Sequence, residues 1–216
     1  MGTILASAIV AAARVTLLDP APGTTWSDPA LLGMLNQAQR NACALRGELF
    51  TVHGPIVMAV GTLQSLPAGG TALIRLHENV AGGRRCRLVD SGMLDAGSIV
   101  WPAETAAAVV QEYTTDAREP KRFQVWPPNT GTGSVIALYC AVPTSIAALA
   151  NAITLDDTTE LALQHFVVGE AYAANTKRQD LTKATFYRQS FEKQLGLNAQ
   201  TTVATAAKYG ATPGAA

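Results

Sequence analysis

Hydrophobic periodicity changes twice along this chain, and this change is what most limits its fold. Apolar residues recur at helical spacing in the first and last parts, whereas Gly and Pro punctuate short alternating or β-branched runs between them. Strand runs flanked by helical runs argue for an α+β fold with a largely antiparallel sheet. We therefore expect a helical domain of about four helices from residues 1–49 and 150–197, an inserted antiparallel β domain from residues 50–149, and an extended C-terminal tail from residues 198–216.

The N-terminal part predicts two helices. An apolar stripe predicts a helix from about Thr3 to Leu17, which the proline-rich segment 19–23 ends. In the second helix we expect Asp28 as the N-cap and Pro29 at the first helical position, where a missing N–H costs nothing. The residues expected to face inward are Leu31, Leu35, Ala38, Ala42 and Leu45, and those expected to face largely outward are Asn36, Gln39, Arg40 and Asn41.

The helical period returns near Leu155. The segment Asp157–Glu160 has the spacing of a capping box, so it predicts the start of a third helix. After a polar break a fourth helix is expected, with Gly196 as its left-handed C-cap. The expected face of the third helix is Leu161, His165, Val168 and Tyr172, broadened by Phe166 and Val167. The expected face of the fourth is Leu181, Ala184, Tyr187, Phe191 and Leu195.

The middle of the chain predicts strands. The candidates are Ile56–Val60, Thr71–Leu76, Arg85–Val89, Ala108–Thr114, Arg122–Trp126 and Val135–Ala141. The last two are joined by Pro127–Gly133, whose glycines are available where a turn requires positive φ. We therefore expect this segment to be the loop of a β-hairpin.

Charged residues are scarce and balanced. They make up 15% of the 216 residues, with 16 basic and 16 acidic side chains, and apolar residues make up 48%. The apolar content is enough for a packed core, while a net charge near zero favours association, so partners are expected to cover part of the surface. Nucleic-acid wrapping needs a clear basic excess on one face, and this composition offers no such excess.

The cysteines and the N-terminus indicate the compartment. Cys43, Cys86 and Cys140 have no short spacing, which suits a reducing cytosol and small buried apolar side chains rather than disulfides or a zinc knuckle. Arg14 follows the N-terminal apolar run, whereas the charge of a signal peptide precedes it. We therefore expect this segment to be a helix of the mature protein. No apolar run reaches the roughly 18 residues of a membrane span, so a soluble protein is expected.

Residues able to carry chemistry do not form a recognisable pattern. The Gly131–Ser134 segment lacks the lysine of a phosphate-binding loop and leads into a strand-like run. His53, His77 and His165 are far apart in sequence, and no serine lies in a nucleophile elbow. Asp156 and Asp157 are adjacent before a helix, where such residues are more often caps than acid–base pairs. We expect no enzyme activity, no cofactor and no tightly bound metal.

Three segments at element boundaries carry a family resemblance. They are the helix start Trp26–Pro29, the turn Leu66–Gly70 and the presumed hairpin Pro127–Gly133, followed by a helical C-terminal third. Together they resemble the head-to-tail adaptor, or connector, proteins of tailed bacteriophages, over roughly residues 3 to 197. The resemblance implies a structural virion protein of the neck, assembled in the host cytoplasm.

The resemblance also implies partners. It implies a ring, of about twelve copies by family resemblance, that docks on the portal protein, presents its other face to the tail or nozzle protein, and helps to retain packaged DNA without sequence-specific binding. The third and fourth helices would face the portal. The segment expected to face the tail comprises Trp126, Pro127, Pro128, Asn129, Thr130, Gly131, Thr132 and Gly133.

Two further sets of residues have expected contacts. The C-terminal tail is too poor in bulky side chains to order itself, so we expect it to bind the portal through the apolar anchors Val203 and Tyr209, with Lys208 reaching a carboxylate or carbonyl. The basic cluster Arg84, Arg85 and Arg87 is either a solvated strand face or a contact with a neighbouring subunit or the DNA channel wall.

The sequence also leaves open a function of a different class. The β domain could be a monomeric glycan- or ligand-binding module on a virion. In that case Trp101 and Trp126 would be exposed and would act as stacking platforms for a sugar.

Overall fold

The computed structural model of the protein describes residues 2–97, 100–174 and 176–196. It contains both helices and two β-sheets. The α+β class expected from the sequence is therefore confirmed. Within the described residues no helix is both long and apolar enough to cross a membrane.

The chain divides into two compact units. The helical unit is formed by the segments up to Arg46 and from Pro143 onward, and the β unit by Gly47–Val142. The helices are α1 (Ala6–Leu17), α2 (Asp28–Leu45), α3 (Ser91–Gly97), α4 (Glu160–Ala173) and α5 (Leu181–Gln194). The strands are β1 (Thr51–Val57), β2 (Val60–Ser65), β3 (Gly70–Asn79), β4 (Arg87–Leu88), β5 (Glu112–Thr115), β6 (Arg122–Thr130) and β7 (Ser134–Ala141).

Helix α4 packs against three other helices of the helical unit, α1, α2 and α5. Its buried residues are Ala162, Leu163, Phe166, Val167, Val168, Gly169 and Ala171. The face expected from the sequence is only partly right, because Phe166, Val167 and Val168 are buried whereas Leu161 is 52% exposed. In α5 only part of the expected face is buried: Ala184 and Phe191 are covered, but Leu181 is 64% exposed.

The start of α1 is three residues later than the sequence predicts. Thr3 and Ile4 donate their backbone N–H groups to Asp157 Oδ1 at 2.7 and 3.1 Å, and Leu5 forms an isolated bridge with Ala152. These tertiary hydrogen bonds compete with the first helical turn, so the helix begins at Ala6.

Asp157 therefore does not act as the predicted N-cap. The cap is Asp156, whose carboxylate accepts the N–H of Thr158 at 3.0 Å, and a 3₁₀ turn over Asp157–Thr159 precedes α4. At the other end of the C-terminal pair, Gly196 has φ 75° and donates its N–H to Lys193 O at 3.0 Å. The predicted left-handed C-cap is confirmed.

Helix α2 differs from its prediction at three positions. Its N-cap is Ser27, whose hydroxyl accepts the N–H of Ala30 at 3.4 Å, while Asp28 is the first helical residue. Gln39 was expected to face outward but is buried, because its Oε1 accepts both the N–H and the hydroxyl of Thr154 at 2.8 Å. Leu45, expected inside, is 47% exposed.

A buried ion pair fixes the connection between α1 and α2. Arg14 and Asp19 are both almost fully buried, and their side chains meet at 3.3 Å. Arg14 also donates to Trp26 O at 2.9 Å, and Asp19 accepts the N–H groups of Thr24, Thr25 and Trp26. Burial by itself would raise the pKa of Asp19, but these hydrogen bonds outweigh it and lower that pKa to about 2.

The β unit contains two sheets, and the same two segments of the chain supply one strand pair to each of them. One sheet has the order β1-β7-β3 and the other β2-β6-β5-β4. The pairing of β1 with β7 runs from Thr51↔Cys140 to Val57↔Ser134, and that of β2 with β6 runs from Val60↔Thr130 to Ser65↔Arg122. Segments 51–65 and 122–141 thus pair antiparallel along nearly their whole length, and the pairing passes from one sheet to the other between Val57 and Val60.

This topology corrects the hairpin prediction. β6 and β7 are not paired with each other, since they belong to different sheets. The strand also continues to Thr130, so Pro127, Pro128 and Asn129 are strand residues. The connection between the sheets is therefore only Gly131–Gly133, and the Pro127–Gly133 segment is not a hairpin loop.

Two other strands are shorter than expected, and for β5 the reason is a tertiary contact. Val110 exchanges two hydrogen bonds with the buried side chain of Asn79, at 2.7 and 2.8 Å, in place of a strand partner. β5 therefore begins only at Glu112 and not at Ala108. The predicted strand Arg85–Val89 shrinks to two residues, and it pairs parallel to β5.

Two apolar clusters stabilise the β unit. The larger lies between the sheets and includes Ile56, Met58, Leu76, Cys86, Val110, Tyr113, Phe123, Val125, Val135 and Ala137. The smaller contains Val89, Leu94 and Trp101, with Trp126 packed against it. Leu94 comes from α3, a helix that the sequence analysis did not anticipate.

Candidate functional site

The crossover between β6 and β7 is held by the side chain of Asn129. This residue is fully buried. Its Oδ1 accepts the N–H groups of Gly131 and Gly133 at 2.9 and 3.3 Å, and its Nδ2 donates to Ala108 O at 3.2 Å. Gly131 has φ 85°, and a Cβ there would lie 2.7 Å from Val60 Cγ2, so only glycine fits without strain. The conformation of the crossover therefore accounts for the asparagine and the glycines of this motif.

Burial separates the predicted tail-facing residues into two groups. Pro127, Pro128, Asn129 and Gly133 are buried, and Trp126 is partly buried. Thr130 and Thr132 are exposed, with their hydroxyl oxygens 2.8 Å apart. Only this short part of the segment can present side chains to a partner.

Two valines that the sequence analysis missed lie beside the exposed threonines. Val57 is 74% exposed and pairs with Ser134, and Val60 is 77% exposed and pairs with Thr130. We call the surface formed by Val57, Val60, Thr130 and Thr132 the crossover tip. It presents apolar and hydroxyl groups with no charge.

A sequence signal could have found this surface. Residues 54–74 contain no Asp, Glu, Lys or Arg, and neither do residues 123–155. The pairing of the two segments brings these uncharged runs together at the tip. Isolated exposed valines are ordinary, so this surface is singled out because its two valines lie in uncharged segments that pair with each other.

The basic cluster lies at the β4 edge of the four-stranded sheet, and β2 forms the opposite edge. Arg84 donates to Gln111 Oε1 at 2.8 Å, Arg87 forms an ion pair with Glu112, and Arg85 is exposed. β4 and β2 are opposite edges of this sheet, so the cluster and the crossover tip are separate surfaces.

The predicted alternation of faces in this cluster is only half right. Cys86 is buried as expected, but Leu88 is 58% exposed. The chain changes partner here, because Cys86 N–H donates to His77 O while Arg87 N–H donates to Gln111 O. Strict alternation requires a continuous strand, which this segment does not form.

The tryptophans do not form exposed stacking platforms. Trp101 is 5% exposed, and its Nε1 donates to Asp95 at 2.9 Å. Trp126 packs against the same apolar cluster and donates its Nε1 to Glu104 at 2.8 Å. The expectation of two exposed tryptophans is therefore wrong, since their rings are used in packing.

The buried thiols and the histidines of the described residues show no reactive arrangement. Burial raises the pKa of Cys86 to about 11 and also raises the pKa of Cys140, so both thiols are protonated at neutral pH. The rings of His53 and His77 lie 5.0 Å apart, a proximity that their sequence separation did not suggest. Among the described residues, no three His, Cys, Asp or Glu side chains cluster in a way that could hold a metal ion.

The predicted portal-binding residues Val203, Lys208 and Tyr209 lie outside the described part of the chain. The predicted sites are therefore not one site. The crossover tip and the arginine cluster are distinct surfaces of the β unit.

Comparison with known proteins gives one informative match. The family model described as SU10 adaptor protein matches residues 4–213, nearly the whole chain. No curated protein matches the sequence. The match confirms the resemblance that the three boundary segments indicated, and it covers both the helical and the β unit. The chain therefore belongs to the SU10 adaptor protein family, a family of bacteriophage head-to-tail adaptors.

Proposed function

We propose that this protein is the structural adaptor of a phage neck, a ring of about twelve copies that docks on the portal protein and provides the attachment surface for the tail. The observation that carries the proposal is the family match over residues 4–213. Head-to-tail rings need two unlike lateral surfaces on each subunit, together with one surface for each axial partner. The ring retains packaged DNA by closing the channel and not by sequence-specific binding.

The crossover tip is the surface that faces the tail in this proposal. Its lack of charge supports a role in permanent assembly, because apolar and hydroxyl groups bind a matching neutral surface without desolvating charges. The buried residues Pro127–Asn129 support the tip from below and are not themselves contacts. The arginine cluster Arg84, Arg85 and Arg87 lines a lateral contact or the DNA channel.

In this proposal helices α4 and α5 and the C-terminal segment face the portal. Val203 and Tyr209 are the apolar anchors of that segment, and Lys208 pairs with a portal carboxylate or carbonyl. Two buried anchors of this size give about 2 to 5 kcal/mol together for one chain, and a ring multiplies this through avidity.

The first experiment is imaging of the purified chain alone and mixed with the portal of its own phage. We expect a monomer or weak oligomer alone and rings on the portal, because an uncharged surface must not polymerise before its template is present. Stable twelvefold rings without portal would contradict template-driven assembly, and absence of any complex would contradict portal docking.

A second experiment tests the C-terminal segment. Deletion of residues 198–216 should leave the melting temperature unchanged while the protein no longer stays on portal-bearing heads. The matched variant replaces only Val203, Lys208 and Tyr209 by Ala in the full-length chain. Normal DNA retention and tail attachment by both variants would show that the segment is a passive extension.

A third experiment tests the crossover tip. Shortening the segment would remove the buried Asn129, so the suitable changes are Thr130→Lys and Thr132→Lys, which alter only exposed side chains. We expect heads that carry the adaptor but lack tails. Loss of portal docking instead would show that the tip faces the portal.

The glycan-binding alternative is disfavoured by one observation, the burial of Trp101 in an apolar cluster. A sugar platform needs an exposed aromatic face. Glycan-array binding by the isolated chain would restore that alternative.

A further inference from the structure

The outer edge of β1 carries unpaired backbone groups. β1 is the terminal strand of its sheet and pairs only with β7 within that sheet. Met58 donates its N–H to Gly133 O at 2.9 Å, and Phe50 O accepts the N–H of Ala141 at 3.0 Å. In an antiparallel pair the residues that exchange hydrogen bonds alternate. The even-numbered residues between 50 and 58 therefore direct their N–H and C=O groups toward β7.

The odd-numbered residues consequently direct these groups away from the sheet. They are Thr51, His53, Pro55 and Val57. Pro55 fits this assignment, because proline in a strand is tolerated where its nitrogen faces outward from an edge. The free edge thus offers the N–H groups of Thr51, His53 and Val57 and the carbonyls of all four residues.

Beyond Val57 the side chain of Gln64 pairs with the outward backbone groups, so the free edge ends there. Ala59 continues the outward series, but its N–H donates to Gln64 Oε1 at 2.6 Å and its carbonyl accepts from Gln64 Nε2 at 2.9 Å. Gln64 is itself buried. The edge between Thr51 and Val57 has no such cover within the described residues.

Common protection against strand pairing is largely missing from this edge. Soluble proteins block exposed edges with lysines or other charges, prolines, bulges or very short strands. β1 has seven residues and no Asp, Glu, Lys or Arg, and its bulge-free pairing with β7 leaves Pro55 as its main protective feature. The edge runs directly into the uncharged crossover tip through Val57.

We propose that the β1 edge, Thr51–Val57, is a strand-addition site that takes an extended, uncharged segment of the tail-side protein when the tail attaches. The proposal rests on the proposed adaptor function. Strand addition supplies affinity through backbone hydrogen bonds, while the alternating side chains of the added strand select the partner. The added strand must be neutral, because a charged group opposite an edge without countercharges would lose hydration without compensation. Because Pro55 has no N–H, one carbonyl of the added strand remains unpaired at that position. This favours one register of the added strand over others.

Hydrogen–deuterium exchange on complete virions and on tailless heads that carry the adaptor tests the proposal, with electron-transfer fragmentation to resolve single amides. We expect the amides of Thr51, His53 and Val57 to exchange at least about tenfold more slowly in virions than in tailless heads. The inward amides of Val52, Gly54 and Ile56 should be protected in both and serve as the internal control.

The outcomes distinguish this inference from the proposed function. Equal exchange of the outward amides in both particles overturns the inference, whether they are exposed in both or already protected by the portal or another copy in tailless heads. Absence of the chain from both particles overturns the adaptor function itself.

A pair of variants gives an independent test. His53→Pro removes one outward N–H, while His53→Ala removes the same imidazole and keeps the N–H. With both variants folded and docked on heads, we expect tail attachment to fall at least about tenfold for His53→Pro only. Equal attachment by the two variants would overturn the proposal. The exchange measurement on the unmodified chain decides the question even when His53→Pro does not fold.

Discussion

Replacement of Asn129 by Ala should destabilise the β unit strongly, although the residue lies in a segment that reads as a surface loop. The change removes three hydrogen bonds: two to the N–H groups of Gly131 and Gly133 and one to the carbonyl of Ala108. Gly133 is buried, so its orphaned N–H costs about 1 to 3 kcal/mol. Each of the two more exposed partners can regain water, and its lost bond costs about 0.5 to 1.5 kcal/mol.

The expected loss of unfolding free energy is therefore about 2 to 6 kcal/mol. Urea unfolding followed by tryptophan fluorescence measures it, since Trp101 and Trp126 both lie in the β unit. The matched control is Thr130→Ala, which removes only an exposed hydroxyl contact and should change stability by about 0.5 kcal/mol or less. If Asn129→Ala behaves like this control, the motif is not held by the asparagine and its structural explanation is refuted.

Further predictions concern the helical unit. Because the folded pKa of Asp19 is lowered from 3.8 to about 2, its stabilising effect is present above pH about 4 and is lost as the pH falls toward 2. Asp19→Asn should therefore lower the melting temperature at pH 7 and flatten its decline between pH 4 and 2, and an unchanged acid profile would contradict this. Leu163→Ala should cost about 2 to 5 kcal/mol in thermal or urea unfolding because the side chain is fully buried, whereas Leu161→Ala should cost about 0.5 kcal/mol or less. Equal losses would contradict the difference in burial between the two leucines.

Sequence patterns predicted the elements that depend on neighbouring residues. The helical period located α2, α4 and α5, and the glycine after α5 marked its end, because capping is decided within one turn of chain. The burial of Gln39 could not be predicted in this way. Its partner Thr154 is 115 positions away, and without that partner a glutamine belongs outside.

The crossover shows a different limit. A Pro-Pro-Asn-Thr-Gly-Thr-Gly segment between two strand patterns satisfies the local requirements of a hairpin and also those of a passage between two sheets. What decides is the presence of β1 and β2, which pair with β7 and β6 and occupy the positions that a hairpin would fill. The valines of the tip were missed for the same reason, since their exposure depends on where the sheets part.

The insertion of the β unit between α2 and the later helices sets an order on synthesis. The hydrogen bonds that complete the helical unit join residues up to 161 positions apart, such as Asn36 with Ile146 and Leu17 with Arg178. The β unit, Gly47–Val142, is contiguous, so all of its strands emerge from the ribosome before α4 does. Until α4 emerges, the apolar faces of α1 and α2 that pack against it remain uncovered. We expect a nascent chain arrested after Val142 to recruit chaperones through these two helices, and release of the last third of the chain to end that dependence.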